Sequence, residues 1–351
     1  MSTPATPNAP ATLALMKEVL GRIAAGGTLS ETQAEEVFEI IMSGDATPAQ
    51  IGGLLMGLRV RGETVDEITG AARIMRSKAL RVDAPPGAVD TCGTGGDGSG
   101  TYNISTAAAF VVAACGVPVA KHGNRALSSK SGSADVLAAL GIKVDADMTL
   151  VRESLFENNI GFLMAPRHHN AMRHVGGPRV ELGTRTIFNL LGPLSNPAGT
   201  TRQVVGVFAA QWVEPVARVL GRLGAEHAWV VHGSDGLDEL TTTGPSKVAE
   251  FKDGEVRVFT VTPEEVGLAR ALPEQLKGAD AATNAVALKA VLAGEKGAYR
   301  DIVALNAGAA LVVSGRVATL ADAVRMAEQA IDDGSASRIL ERMVAITNKE
   351  V

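Results

Sequence analysis

Residues 88–112 read AVDTCGTGGDGSGTYNISTAAAFVV, and the order of residue types in this stretch decides the fold class. A short apolar run over residues 88–92 leads into a glycine-rich loop, which is followed by an alanine-rich run suited to a buried helix. A strand that passes through a loop into a helix is the repeating unit of parallel, doubly covered sheets. The stretch therefore predicts an α/β domain.

The same alternation of strands and alanine-rich helical stretches continues downstream. The further candidate strands are Val117–Lys121, Ile160–Met164, Gln203–Phe208, His227–His232 and Glu255–Val261. Three more helices are expected from Ala281 to the end of the chain. These elements predict a largely parallel central sheet covered by helices.

The chain upstream of the Pro85-Pro86-Gly87 break is helical in pattern. Helix-start signals are found at Ser30 with Gln33, at Thr64 with Glu67, and at Thr47, which precedes a proline. Residues 12–83 therefore predict a small all-helical domain of about four helices. Residues 1–11, which are rich in Pro, Ala and Thr, are expected to form a disordered tip.

Composition and charge exclude several classes of protein. The 351 residues carry a net charge of −5, which argues against general nucleic-acid binding because that requires a basic face. Two cysteines cannot build a disulfide framework, and they lack the spacing of a zinc site. The chain shows neither a signal peptide nor an apolar stretch long enough to span a membrane. We therefore expect a cytoplasmic protein with no membrane partner.

The glycine loop, Gly93-Thr94-Gly95-Gly96-Asp97-Gly98, has the composition of a phosphate site. Glycines let backbone N–H groups approach an anion, and the following helix N-terminus adds a favourable dipole. The loop also matches a dinucleotide fingerprint, but the second strand ends in Lys121-His122 rather than in the required acidic residue. A tight surface turn is the other alternative. Four hydrogen-bonding side chains at the helix entry count against that turn: Thr101, Asn103, Ser105 and Thr106.

Two further loops follow strands and are expected at the same edge of the sheet. The run from Lys121 to Asp135 contains three cations and four serines, which suits a second phosphate group, although single serines could be helix caps. The Asp238-Glu239 pair has the composition of a Mg²⁺ site beside a pyrophosphate. On residue type alone a solvated acidic turn is favoured over a metal site, and the position of the pair at the sheet edge reverses that preference.

These motifs together resemble the anthranilate phosphoribosyltransferase family. The segment Arg179–Pro197, reading RVELGTRTIFNLLGPLSNP, strengthens the resemblance. The resemblance implies a helical domain completed by residues 168–192, an α/β domain of residues 84–167 and 193–351, a cleft between them, and a homodimer formed through the helical domains. It further implies Mg²⁺-dependent transfer of phosphoribose to anthranilate in tryptophan biosynthesis. Asn170 stands where many relatives have proline. Gly176-Gly177-Pro178 predicts a hinge between the domains.

The resemblance also implies residue roles. The donor, phosphoribosyl pyrophosphate, would be bound by Gly93, Thr94, Gly95, Gly96, Asp97, Thr101, Asn103, Ser105, Thr106, Lys121 and Ser133. Anthranilate would be bound by Gly93, His122, Asn124, His169, Arg179 and Pro193, with Arg179 on the carboxylate. The metal ligands would be Asp238, Glu239 and the Ser105 hydroxyl. No covalent nucleophile or general base is implied.

Two other functions remain as alternatives. Pyrimidine nucleoside phosphorylases share the expected architecture and a lysine-serine phosphate loop, but they have a Lys-His-Ser cluster where this chain has Thr91-Cys92-Gly93. A non-catalytic, nucleic-acid-binding relative of the fold should show a basic face and should lack the acidic pair. Phosphorolysis of thymidine or uridine would identify the first, and retardation of DNA or RNA at low salt the second.

Overall fold

The computed structural model describes residues 10–125 and 131–350. It divides into two units. The helical unit runs to Leu80 and resumes over Pro166–Ser195, and the sheet unit comprises Arg81–Ala165 and the chain from Asn196 onward. The chain therefore passes between the units after residues 80, 165 and 195, a few residues from the expected boundaries at 83, 167 and 192.

The helical unit begins with the four expected helices. They are α1 (Pro10–Ala24), α2 (Glu31–Ser43), α3 (Pro48–Arg61) and α4 (Val65–Ser77). The side chains of Ser30, Thr47 and Thr64 each accept a hydrogen bond from the backbone N–H three residues later. All three predicted helix starts are confirmed. α1 begins at Pro10, within the expected disordered tip of residues 1–11, and the first nine residues of that tip lie outside the described part.

The rest of the helical unit is built from short helices. They are α8 (Ala165–His168, which begins one residue before the unit), α9 (Arg173–Leu182) and α10 (Phe188–Leu191). Gly176, Gly177 and Pro178 lie inside α9, with Pro178 in the body of the helix. The expected hinge at these residues is therefore wrong, because the chain does not pass between the units there.

The sheet unit contains seven strands in the order β3-β2-β1-β4-β5-β6-β7. The strands are β1 (Val89–Gly93), β2 (Val119–Gly123), β3 (Ile160–Met164), β4 (Arg202–Gly206), β5 (His227–Gly233), β6 (Ser246–Lys252) and β7 (Glu255–Val261). β1 to β5 are parallel, whereas β6 and β7 are antiparallel to their neighbours. The predicted largely parallel sheet is confirmed.

Helices cover both faces of this sheet. They are α5 (Ile104–Ala114), α6 (Ser133–Ala139), α7 (Met148–Glu157), α11 (Val213–Arg222), α12 (Ala281–Leu292), α13 (Ala298–Val313), α14 (Leu320–Asp332) and α15 (Ser335–Thr347). The larger core joins α5 and α13 to one face, through residues such as Val89 and Val119. A smaller cluster joins α7 to the other face, through residues such as Ala120 and Leu163.

Two predictions for the sheet unit are wrong. β6 was not expected, because SKVAEFK is half polar and lies near the edge of the sheet. The Asp253-Gly254 turn between β6 and β7, in which both residues have positive φ (52° and 84°), is a hairpin signal that could have revealed it. The end of the chain forms four helices rather than three, because short turns after α13 and α14 separate helices of similar composition.

Candidate active site

Three loops meet at the carboxyl edge of the parallel strands. The glycine loop follows β1, the loop of Lys121–Asp135 follows β2, and the loop carrying the acidic pair follows β5. Gly93 at the end of β1 lies in register with Gly206 at the end of β4. Ligands of open α/β sheets bind at this edge. Sequence position and sheet topology thus bring the predicted motifs of the sheet unit together.

The glycine loop is held open by its own backbone and by β4. The φ angles of Gly95 and Gly96 are 66° and 72°, values that residues with a Cβ rarely adopt. Thr94 N donates to Gly206 O at 2.9 Å, and the Thr94 hydroxyl accepts from Phe208 N at 3.0 Å. The loop is therefore anchored at Thr94, and beyond it the Gly95 amide donates to Asp238 Oδ2.

The entry to α5 has no side-chain cap from its N-cap residue. Asn103 is the N-cap, but its side chain makes no capping bond. It instead donates to Ser131 O at 3.3 Å and accepts from Asn284 Nδ2 at 3.0 Å. Thr101 pairs with Lys277 in an isolated bridge, and the Thr106 residue is buried. The first-turn amides of α5 thus remain free of a side-chain cap from the N-cap residue.

Lys121 is a buried cation next to the first turn of α5. The residue is only 3% exposed, and its ammonium group donates to Thr91 O and reaches the Ser105 hydroxyl at 3.5 Å. One residue on, His122 N donates to the buried Asp90 carboxylate at 3.1 Å. Burial is the largest contribution to the pKa of Asp90 and raises it, and the Lys121 charge opposes that rise.

The two carboxylates of the acidic pair lie on backbone donors of the other motifs. Asp238 Oδ2 accepts from Gly95 N at 2.7 Å, and Glu239 Oε1 accepts from Ser105 N at 3.1 Å. Burial raises the pKa of both carboxyls. The charge of Asp97 raises the pKa of Asp238 further, and the charge of Asp238 raises the pKa of Glu239 further. The pair is therefore joined to the glycine loop and to α5, a contact that the sequence pattern did not predict.

Asp97 has a local partner. Its carboxylate accepts from Ser99 N at 3.2 Å and from the Ser99 hydroxyl at 2.5 Å. The prediction that it orients a ribose hydroxyl, a metal-bound water or Lys121 stays a prediction. Its charge is close enough to Asp238 to raise the pKa of that carboxyl.

The loop after β2 is described only at its ends. Asn124 O accepts from Ala134 N and from the Ser133 hydroxyl, both at 3.2 Å. Arg125 forms an ion pair with Asp135 at 3.1 Å. Ser131 and Ser133 are described, whereas Ser128, Ser129 and Lys130, which contributed to the predicted phosphate loop, lie outside the described residues.

Three of the residues predicted to bind anthranilate, His169, Arg179 and Pro193, belong to the helical unit. His169 is buried, which lowers its pKa to about 4, with a further contribution from the charge of His168. The Arg179 guanidinium lies over the Phe188 ring at 5.3 Å from the centroid, and burial lowers its pKa. Within the described ranges Arg179 has no carboxylate partner. Pro193 lies at the end of the same unit, and Gly93, His122 and Asn124 lie in the sheet unit.

A second hydrogen-bond network, not predicted from the sequence, closes the loop that carries the acidic pair. The Asp235 carboxylate accepts from the hydroxyls of Thr241 and Thr243, both at 2.6 Å. Thr241 N in turn donates to the Ser246 hydroxyl at 2.8 Å. These residues bracket Asp238 and Glu239 in sequence and close the loop that carries them. Their spacing matches no motif, so only the structure reveals the network.

Mg²⁺ is the metal that the donor set would fit. The charge of Asp238 contributes to the raised pKa of Glu239, so a cation bound by both carboxylates would relieve that repulsion. No cluster of three or more His, Cys, Asp or Glu with metal-binding geometry occurs in residues 10–125 and 131–350. Such a site needs oxygens from a bound phosphate to complete it, as Mg²⁺ sites commonly do.

Gly206 offers a direct test of how the acidic pair is positioned. A Cβ at Gly206 would lie 1.5 Å from Asp238 O, and one at Gly93 would lie 2.3 Å from Asp238 Oδ2. The obstacle at Gly206 is backbone, which cannot swing aside. Gly206→Ala is therefore expected to displace the acidic pair and lower turnover by at least about tenfold, a barrier increase of roughly 1.4 kcal/mol.

Measurement of kcat for Gly206→Ala, with Gly52→Ala in the helical unit as a control, checks this prediction. A Cβ at Gly52 would meet no atom within 4 Å, so this variant should keep normal turnover. Full activity in a folded Gly206→Ala protein would show that the position of the acidic pair does not matter.

Two known protein families match the two parts of the chain. Residues 17–79 match the helical bundle domain of a glycosyl transferase family, and residues 85–337 match the a/b domain of a glycosyl transferase family. The second match alone covers more than half of the chain.

Curated relatives cover the chain almost completely. It is 79% identical over 341 residues to an anthranilate phosphoribosyltransferase of Paramagnetospirillum magneticum, covering 97% of this chain and 99% of the relative. It is 64% identical over 351 residues to the enzyme of that name from Azospirillum brasilense, covering 100% and 98% of the two chains.

Solved structures agree with these relatives. The structure of anthranilate phosphoribosyltransferase from Thermus thermophilus has a TM-score of 0.89 at 46% identity, covering 94% of this chain and 99% of that one. The Saccharomyces cerevisiae enzyme, solved in complex with PRPP and Mg, has a TM-score of 0.86 at 27% identity, covering 97% and 98%.

Proposed function

The chain belongs to the anthranilate phosphoribosyltransferase family, and from this premise we propose how its residues perform the reaction. The reaction transfers the phosphoribosyl group of phosphoribosyl pyrophosphate to the amine of anthranilate, with Mg²⁺, in tryptophan biosynthesis. The observation that carries the proposal is the junction of the glycine loop, the α5 N-terminus and the acidic pair, made by the Gly95–Asp238 and Ser105–Glu239 hydrogen bonds.

The pyrophosphate of the donor binds to the backbone amides of the glycine loop. Gly93, Thr94, Gly95 and Gly96 form the cradle, and Ser105 and Thr106 extend it along the first turn of α5. Amides in a loop of positive-φ glycines, next to a helix N-terminus, suit a diphosphate. Asn103, Lys121 and Ser133 serve the phosphoribosyl portion, while Asp97 and Thr101 border the same loop.

Asp238 and Glu239 would hold Mg²⁺, and the Ser105 hydroxyl would serve a second ion. When bound, Mg²⁺ offsets the charge that develops on the departing pyrophosphate. In the structure the two carboxylates accept hydrogen bonds from Gly95 N and Ser105 N. Amides that already stabilise a carboxylate can stabilise a phosphate, so donor and metal binding are expected to be mutually dependent.

Arg179 binds the anthranilate carboxylate. Its planar guanidinium suits a bidentate pair with a carboxylate, and the Phe188 ring beneath it fixes its orientation. We assign the other contacts with anthranilate to Gly93, His122, Asn124, His169 and Pro193. The lowered pKa keeps His169 neutral at cellular pH.

The chemistry requires positioning more than reactive side chains. The bond from ribose C1 to the pyrophosphate oxygen breaks and its electron pair leaves with pyrophosphate, a bond from C1 to the anthranilate nitrogen forms, and the nitrogen then loses a proton to the solvent. The aniline nitrogen is neutral before attack, so no base is needed to activate it. Lys121 and the loop amides stabilise the leaving group, and the acceptor site holds the amine in line.

We further propose that the protein acts as a homodimer in the cytoplasm. Leu13 on α1 and Val60 on α3 are 42% and 81% exposed, and apolar groups on these helices suit a contact between copies. No described helix is long and apolar enough to cross a membrane. Light scattering of the purified protein measures the oligomeric state directly.

A fluorescence assay tests the proposed function. Anthranilate is fluorescent, so its consumption can be followed after adding the donor and Mg²⁺ to the purified protein. We expect the signal to fall only when both are present, with pyrophosphate released in equal amount. Phosphorolysis of thymidine or uridine in place of this reaction would instead support a pyrimidine nucleoside phosphorylase.

A further inference from the structure

A buried asparagine lies directly behind the acidic pair. Asn306 on α13 is only 3% exposed, and its side chain contacts the residue that follows Glu239. Asn306 Oδ1 accepts from Leu240 N at 3.0 Å, and its Nδ2 donates to Leu240 O at 2.9 Å. The same Nδ2 also donates to Ile302 O at 2.9 Å within α13. One side chain thus satisfies both backbone polar groups of Leu240.

These two bonds fix the backbone on both sides of Leu240. Because a peptide unit is planar, a bond to Leu240 N also orients the carbonyl of Glu239. The bond to Leu240 O orients the next peptide, whose N–H at Thr241 donates to Ser246 at 2.8 Å. Leu240 itself is fully buried, so water cannot replace either bond. The direction in which Glu239 leaves the backbone is therefore set by α13.

The helix that carries Asn306 is well anchored. Arg300, on α13, pairs with Glu328 and Asp332 of α14 at 2.8 and 3.0 Å. Tyr299, also on α13, donates its hydroxyl to Asn103 O at 3.3 Å, at the start of α5. Glu239 connects these same two places, since it precedes Leu240 and accepts from Ser105 N of α5. Helix α13 therefore supports both ends of that contact.

We propose that Asn306 is a positioning residue for the acidic pair, and that it sets the affinity of the site for a divalent cation bound with a diphosphate. The inference rests on the proposed function of Asp238 and Glu239. Its physical basis is that ligands of a metal site must be held to within about 0.5 Å by the residues behind them. In this proposal Asn306 acts through the backbone of Leu240.

Replacing Asn306 by Leu tests the proposal. Leu is close in volume but leaves Leu240 N and O without partners, so the loop must shift to satisfy them. The control is Asn158→Leu. Asn158 is 1% exposed and donates to Ile339 O of α15 at 2.9 Å, so its loss removes a buried side-chain bond elsewhere in the sheet unit.

We measure the binding of Mn²⁺ in the presence of pyrophosphate by titration calorimetry. The melting temperature of each protein is measured as well. We expect both variants to melt at lower temperature than the wild type. Asn306→Leu should weaken Mn²⁺ binding by about tenfold or more, equivalent to roughly 1.4 kcal/mol. Asn158→Leu should bind Mn²⁺ as the wild type does. Asn306→Ser, which can keep only one of the bonds to Leu240, should give a smaller loss.

The outcomes distinguish the proposed metal site from the proposed role of Asn306. A wild-type protein that does not bind Mn²⁺ with pyrophosphate would overturn the proposed metal site itself. Wild-type binding with an unchanged affinity in Asn306→Leu would overturn only the role of Asn306. If Asn306→Leu does not fold, Asn306→Ser and Asn158→Ser decide the question by the same comparison of affinities.

Discussion

Replacing the acidic pair by its neutral isosteres, Asp238→Asn with Glu239→Gln, is expected to lower turnover by about a hundredfold to a thousandfold. Losses of this size, roughly 2.7 to 4 kcal/mol, accompany removal of a preorganised charge-stabilising group from an active site. The Mg²⁺ concentration dependence of the rate should change as well. Turnover measured across a Mg²⁺ titration, in parallel with the wild type, checks both effects.

The fold should survive this double change. The side-chain oxygens of Asn and Gln can still accept from Gly95 N and Ser105 N. The charge of Asp238 raises the pKa of Glu239, and neutralising both groups removes that repulsion. The melting temperature is therefore expected to stay the same or rise. An unchanged rate and Mg²⁺ titration would show that the pair is a structural turn.

Arg179→Ala is expected to raise the Michaelis constant for anthranilate at least about tenfold while that for the donor changes little. Losing one partner of a desolvated ion pair costs about 2 to 5 kcal/mol, and each 1.4 kcal/mol is tenfold in binding. The prediction follows from a half-buried guanidinium that, in the described ranges, contacts an aromatic ring but no carboxylate. Arg179→Lys should rescue poorly, because an ammonium group cannot form the bidentate pair.

Arg173→Ala is the matched control for this variant. Arg173 begins the same helix, α9, is exposed, and its guanidinium donates to His174 at 3.2 Å. Its removal should leave both Michaelis constants unchanged. Steady-state kinetics and the melting temperature of each variant decide the matter. A large loss of thermal stability in Arg179→Ala, with both constants shifted together, would indicate that Arg179 has a structural role instead.

Much of the fold could be predicted because its signals are local. The capping pairs at Ser30, Thr47 and Thr64 mark helix starts within three residues, and the alternation of apolar runs after Pro86 marks the parallel strands. β6 was missed because half of its side chains are polar and its apolar and polar residues do not alternate clearly. Only the Asp253-Gly254 turn carried the signal for that hairpin.

The predicted motifs of the sheet unit were sufficient to identify which loops share an edge, because carboxyl ends of parallel strands coincide. They could not predict contacts made across long stretches of chain. The bond from Gly95 to Asp238 spans 143 residues, and Asn306 lies 66 residues beyond Leu240. Neither contact follows a spacing rule, since both depend on how the loop after β5 folds back over Gly206. Tertiary packing alone determines them.

The binding of pyrophosphate to the wild-type protein, titrated with and without Mg²⁺, tests the central claim most directly. If Asp238 and Glu239 occupy amides that the diphosphate needs, binding without metal should be weak, and Mg²⁺ should strengthen it by at least about tenfold, or 1.4 kcal/mol. The neutral double variant should bind with little dependence on Mg²⁺. Equal affinity of the wild type with and without Mg²⁺ would contradict the account.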